Sequence, residues 1–68
     1  MTKISSSLDL GNLIKETRKS QNLTQKDLAA ICGFGERFII DLEKGKPTCS
    51  LDKSLHAAHM LGINLIAK

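Results

Sequence analysis

The residues of this sequence best suited to chemistry are charged side chains gathered in one short stretch. Arg37 carries a guanidinium, which can donate two parallel hydrogen bonds to guanine O6 and N7. Glu36 precedes it and can accept a hydrogen bond from a cytosine amino group or can instead orient Arg37. Lys26, Lys44 and Lys46 flank the stretch and can either neutralise phosphates or remain solvated surface charges. Their clustering favours phosphate binding, so this chemistry is that of nucleic-acid recognition.

A second group of reactive side chains, Cys49, His56 and His59, suggests a zinc site as a weaker interpretation. A structural zinc ion requires a complete set of ligands, whereas here one cysteine lies nearby and no Cys-x-x-Cys is present. We therefore favour two surface or half-buried histidines, and we expect no metal and no cofactor. No acid, base and nucleophile occur together in a context suited to catalysis, so we expect no enzymatic activity.

The elements that must position the charged cluster lie within residues 24–45, which split into two short apolar-patterned segments. Thr24 can cap the first segment, with the acid Asp27 in its first turn. Gly33 suits a turn with positive φ, Gly35 can cap the second segment, and Gly45 can end it. The apolar residues recur at helical spacing in both segments: Leu28, Ala29, Cys32, Phe34, Phe38, Ile39 and Leu42. Two short helices joined by a glycine-containing turn predict a helix-turn-helix.

Two further helices are predicted on either side of this motif. Residues 8–21 form an amphipathic pattern. Residues 51–61 form another, capped by Ser50 and ended by Gly62, with an inward face that we expect to contain Leu51, Leu55, Ala58 and Leu61. The apolar residues that follow predict a short strand: Ile63, Asn64, Leu65 and Ile66.

That strand has no partner strand elsewhere in the chain, and its backbone groups need hydrogen-bond partners. We expect it to pair with the same strand of a second copy about a twofold axis. The alternative is an apolar C-terminus packed on the fourth helix.

The composition limits the class of protein. A length of 68 residues allows one domain with a marginal core, which a second subunit would help to stabilise. The net charge of +3 is consistent with a polyanionic partner. No signal peptide and no apolar run long enough to span a membrane are present, so we expect a cytoplasmic protein without membrane contact.

Several positions agree with one known family. Thr24 and Gln25 open the motif, Ala29 supplies a small residue at the helix crossing, and residues 42–45 (LEKG) end the motif. This pattern resembles the Cro and phage-repressor (XRE) helix-turn-helix family over roughly residues 8–65. The resemblance implies an all-α, four- to five-helix, lambda-repressor-like domain that binds double-stranded DNA.

The sequence is also similar to one branch of this family, the HipB-type antitoxins. The similar segments are residues 37–39 (RFI), 45–48 (GKPT), 51–53 (LDK) and 61–62 (LG), followed by the apolar strand. The resemblance implies a homodimer joined through its C-terminal strands, which represses its own operon at a palindromic operator. It further implies a protein partner, a HipA-family kinase toxin or its split subunits.

The family resemblance also assigns roles to individual residues. Its base-reading positions correspond to Glu36, Arg37 and Asp41, and its phosphate-contacting position at the start of the second helix corresponds to Gln25. Arg18 and Glu43 match a pair that bridges the first helix to the end of the third. The expected organisation is a tail (1–7), a DNA-binding domain (8–62) and a dimerisation strand (63–68).

The sequence is also compatible with two other functions. The chain can be a solitary phage-like repressor, or it can be a protein-interaction module that has lost DNA reading. The second is favoured by the two acids among the three base-reading positions, since acids oppose binding to phosphates.

Overall fold

The computed structural model describes residues 6–63, and these form four helices. They are α1 (Ser7–Ser20), α2 (Gln25–Cys32), α3 (Glu36–Glu43) and α4 (Leu51–Met60). The predicted all-α class is confirmed for this part of the chain. Of the predicted strand, Ile63 is described and donates its backbone N–H to the carbonyl of Ala58 at 3.0 Å. The rest of that prediction, residues 64–66, lies outside the described residues.

Helix α1 begins one residue before the predicted start, because Ser6 is its cap. The Ser6 hydroxyl accepts a hydrogen bond from the Asp9 backbone N–H at 3.1 Å. At the other end, Asn22 adopts a positive φ of 59°, a conformation that asparagine tolerates better than most residues. The chain thereby turns from α1 into α2.

Helix α2 has the capping box that its sequence predicts. The Thr24 hydroxyl accepts from the Asp27 backbone N–H at 3.0 Å, while the Asp27 carboxylate accepts from the Thr24 N–H at 2.9 Å. Gly33 ends the helix with φ 76°, which glycine adopts without steric cost. The next residue, Phe34, donates its N–H to the Ala29 carbonyl at 2.9 Å, which completes the turn.

Helix α3 starts after Gly35, as predicted, and ends at Glu43, two residues before Gly45. Its following turn contains Gly45 with φ 80°. Within this turn, the backbone N–H of Lys46 donates to the Asp41 carbonyl at 3.1 Å. The start of the next loop is therefore fixed to the last turn of α3.

The core contains one fully buried aliphatic side chain from each of the first three helices: Ile14, Leu28 and Ile39. Helix α4 adds Ala57 and Ala58, and its C-terminal cap residue adds Leu61. The prediction that Leu51 and Leu55 face inward was wrong, because they are 67% and 41% exposed. The buried face of α4 is instead rotated towards small residues, which let it pack closely on α2.

Helix α1 lies directly against the end of α3. A Cβ atom added at Gly11 would collide with the carbonyl oxygen of Leu42 and crowd that of Glu43. The absence of a side chain at Gly11 thus lets α1 support the backbone of α3. Among residues 6–63, no helix is both long enough and apolar enough to cross a bilayer.

Candidate nucleic-acid interface

A buried ion pair joins α1 to the C-terminal end of α3. Arg18 Nε donates to Glu43 Oε2 at 2.7 Å, and Arg18 Nη2 donates to Glu43 Oε1 at 3.0 Å. Arg18 Nη1 donates to the carbonyl of Leu23 at 2.7 Å. The hydrogen bond to Glu43 raises the pKa of Arg18, against the opposing effect of burial. One side chain of α1 thereby joins the last residue of α3 to the segment that precedes α2.

Gln25 belongs to the same network. Its amide Nε2 donates to Glu43 Oε1 at 3.2 Å, so the first residue of α2 is linked to the last residue of α3. The backbone N–H groups of Gln25 and Lys26 lie in the first turn of α2, where no intrahelical acceptor is available. They can donate to a phosphate, as helix N-termini commonly do.

The outward side of α3 carries the residues to which the family resemblance assigns base reading. Glu36 and Arg37 are exposed in its first turn, and Asp41 is half-buried one turn later. Glu36 forms no ion pair within residues 6–63, and its charge lies at the positive end of the helix dipole. Arg37 is thus exposed in the first turn of α3, the part of a recognition helix that generally lies nearest base edges.

Asp41 has two cationic neighbours. Its Oδ1 lies 3.5 Å from Arg37 Nε, and its Oδ2 lies 3.6 Å from Lys46 Nζ. These three residues were predicted to contact DNA, but the sequence did not predict that they would contact one another. The signal for the first contact was the spacing of opposite charges four residues apart on one helix.

Lys26 and Lys44 are exposed on either side of this cluster, in the first turn of α2 and at the end of α3. In the part of the chain that the structure describes, neither joins an ion pair. Their ammonium groups are thus available to a polyanion.

An aromatic cluster that the sequence did not reveal joins the turn, α3 and α4. The rings of Phe34 and Phe38 meet edge to face with centroids 5.1 Å apart. His56 meets Phe34 in the same way at 5.6 Å. Lys53 Nζ lies 5.8 Å and 5.9 Å from the centroids of Phe34 and Phe38. The cluster links the turn and α3 to two exposed side chains of α4.

These contacts also bear on the residues considered for zinc. His56 packs on an aromatic ring, and within residues 6–63 no three metal-binding side chains come together. Cys49 is a half-buried free thiol. Burial raises its pKa, Asp41 adds to the rise and Lys46 opposes it.

Comparison with known proteins gives three findings. A model of the helix-turn-helix family matches residues 14–66. The uncharacterized HTH-type transcriptional regulator y4mF of Sinorhizobium fredii is 44% identical over 63 residues, which cover 93% of this chain and 83% of that protein. Two solved structures, a HipB-O4 20mer complex and a HipA-HipB-O2-O3 complex, superpose with a TM-score of 0.89 at 24% identity. Each superposition covers 100% of this chain and 96% of the other, which establishes the fold.

Proposed function

This chain belongs to the helix-turn-helix family of transcriptional regulators, of the XRE type, and from that premise we propose that it is a sequence-specific repressor and a HipB-type antitoxin. The observation that carries the proposal is the way α3 is held by its neighbours. Its C-terminal residue, Glu43, is bound by Arg18 and Gln25, while its first turn presents Arg37 to solvent. A rigidly held helix with an exposed arginine suits insertion into a major groove.

In the proposed complex, contacts divide into two classes. Arg37 reads a guanine, and Glu36 lies beside it at the same base edges. Gln25, Lys26, Lys44 and Lys46 meet the flanking phosphates and set the register of the helix. Affinity then falls steeply with salt, because each neutralised phosphate releases condensed counterions.

The repressor acts as a homodimer in this proposal. Pairing of the strand at residues 63–66 with that of a second copy would relate two α3 helices by a twofold axis. The operator would be a palindrome with half-sites about 34 Å apart, one turn of the duplex. Binding to such a site upstream of its own gene gives autorepression.

The proposed protein partner is a HipA-family kinase toxin or its split subunits. Support comes from the sequence segments that resemble the HipB branch and from the fold shared with HipB. Co-expression of the tagged chain with the product of the adjacent gene tests this. We expect a kinase-fold protein to copurify in stoichiometric amount; an adjacent product that is such a kinase but does not copurify would contradict the antitoxin role.

DNA binding is tested by fluorescence anisotropy with the duplex upstream of the gene and a scrambled duplex, at several salt concentrations. Arg37→Ala is expected to lose most of the preference for the native duplex. The matched control is Lys19→Ala, which removes one positive charge from the exposed end of α1 and should keep that preference. Weak and equal binding of wild type to both duplexes would refute sequence-specific repression.

A second function, a protein-interaction module without DNA reading, is favoured by the exposed Leu51 and Leu55 of α4 and by the pairing of Arg37 with Asp41. An Arg37→Ala protein that retained full repression in cells would support this module over the repressor.

A further inference from the structure

The carboxylate of Asp41 lies between two cations that the proposed function gives different targets. Arg37, 3.5 Å away, is the base reader, and Lys46, 3.6 Å away, is a phosphate contact. The side chains of the two cations are 79% and 54% exposed, whereas that of Asp41 is 19% exposed. The acid is therefore the fixed member of the group, and the two cations converge on it.

The stability of α3 does not account for this acid. Asp41 lies near the C-terminal end of the helix, where the helix dipole disfavours negative charge. Its pair with Arg37 also has the less favourable order, with the cation preceding the acid by four residues. An acid at the reading surface further repels phosphates. Its location thus weakens both the helix and general DNA binding.

The geometry of the pair suits an orienting role. The shortest contact is made by Arg37 Nε, at the side of the guanidinium. The terminal edge, Nη1 and Nη2, has the fork geometry that pairs with guanine O6 and N7. Holding a long side chain in its bound orientation reduces the conformational cost of binding. Lys46 Nζ lies near the other carboxylate oxygen, so both cations approach the same acid.

We propose that Asp41 is a specificity-determining positioning residue, which orients Arg37 and Lys46 together and so favours operator DNA, while its charge weakens binding to all duplexes alike. This inference rests on the proposed function, since it assumes that Arg37 reads bases. It replaces direct base reading by Asp41, the role that the family pattern assigns to this position.

The test begins with a duplex selected by wild-type protein from a randomised pool, compared with a scrambled duplex. Asp41→Asn is expected to bind the scrambled duplex more tightly and to lower the selected-to-scrambled affinity ratio about five- to tenfold, given the worth of a bidentate base contact. Asp41→Glu keeps the charge and should restore most of the ratio. The control Asp52→Asn removes an exposed carboxylate from α4 that joins no ion pair within residues 6–63, and it should leave the ratio unchanged.

A double-mutant cycle shows whether Asp41 acts through Arg37. In an Arg37→Ala background, adding Asp41→Asn should not lower the ratio further. An unchanged ratio for Asp41→Asn alone, or an equal loss in both backgrounds, would overturn the positioning role while leaving the repressor intact. If wild-type protein selects no duplex at all, the proposed function itself fails, and the inference fails with it.

Discussion

Two acids of α3 have contrasting surroundings only two positions apart in the chain. Glu43 is buried, and three side-chain nitrogens donate to it from Arg18 and Gln25. Asp41 is half-buried and has only longer ion-pair contacts. Removing the carboxylate of Glu43 should therefore destabilise the fold, whereas removing that of Asp41 should change DNA selectivity.

Glu43→Ala is expected to destabilise the domain by about 3–5 kcal/mol, because it leaves the buried guanidinium of Arg18 without a counter-charge. A loss of that size exceeds or matches the stability of most domains this small. Urea denaturation followed by circular dichroism measures the loss.

The control for this change is Glu36→Gln, an exposed acid of the same helix, which should stay within about 0.5 kcal/mol of wild type. The double variant Arg18→Met with Glu43→Leu should be more stable than Glu43→Ala, since no charge remains buried. A stable Glu43→Ala protein would show that the pair contributes little to folding.

Asp27 gives a pH-dependent prediction. Hydrogen bonds from the backbone and the hydroxyl of Thr24 lower its pKa below the ordinary 3.8. A lowered folded-state pKa contributes stability above the ordinary pKa, and that stability is lost as pH falls through the folded value. Asp27→Asn should thus lower the Tm at neutral pH but not in strongly acidic buffer. Thermal melts of wild type and Asp27→Asn from neutral to strongly acidic pH measure the Tm difference, and a difference that stays constant with pH would contradict the prediction.

At the scale of the helices, the close approach of α1 to α3 is the most sensitive contact. Gly11→Ala is expected to cost about 3 kcal/mol, at the upper end for overpacking, because the new Cβ meets backbone oxygens that cannot rotate away. Chemical denaturation measures it.

The matched control for Gly11→Ala is Gly35→Ser. Position 35 faces open space and α3 has no side-chain cap there, so we expect stability unchanged or raised by about a few tenths of a kcal/mol. Equal stability of Gly11→Ala and wild type would mean that α1 does not support α3 as closely as the structure indicates.

The limits of the helices could be predicted because they depend on local chemistry. Thr24, Gly33 and Ser50 act on neighbours within a few positions, and those interactions can be read from the sequence. The inward face of α4 could not. Its leucines recur at helical spacing, yet the helix buries Ser54 and the two alanines, since close packing on α2 favours small side chains.

The site was predicted in part for the same reason. The outward position of Arg37 follows from helical periodicity once α3 is recognised. The contact of Lys46 with Asp41 depends on how the loop turns back after Gly45, which a positive φ allows but does not direct. Likewise, the approach of Lys53 and His56 to Phe34 requires the packing of α4, which a linear pattern does not contain.

At the scale of the whole molecule, the proposed dimer should appear in stability. A chain of 68 residues has a small core, and several large apolar side chains on its surface remain uncovered within residues 6–63, including Leu8, Leu51 and Leu55. We expect the Tm to rise with protein concentration, because dissociation accompanies unfolding of a dimer.

Sedimentation velocity at the same concentrations should show twice the monomer mass. A concentration-independent Tm with a monomeric sedimentation coefficient would exclude the dimer.

The proposed phosphate contacts give a second prediction at this scale. Replacing Lys26 and Lys44 together by glutamine should weaken binding to all duplexes alike. It should also lower the slope of log affinity against log salt by about 0.9 for each lysine. Anisotropy titrations at several salt concentrations measure the slope. A loss confined to the selected duplex would instead make these lysines base readers.

The division of labour between the two sides of α3 has a consequence for how such a protein changes over generations. The inner side carries Ile39, Leu42 and Glu43, which the fold needs, whereas Glu36 and Arg37 contact nothing in the core. Under the proposed base reading, a duplicated gene could therefore acquire a new target through a few codon changes for the outer side, while each intermediate protein still folds. Because the buried network of Arg18, Gln25 and Glu43 holds α3 in place, the residues on its outer side can be substituted without loss of the fold. The chain can therefore evolve a new specificity.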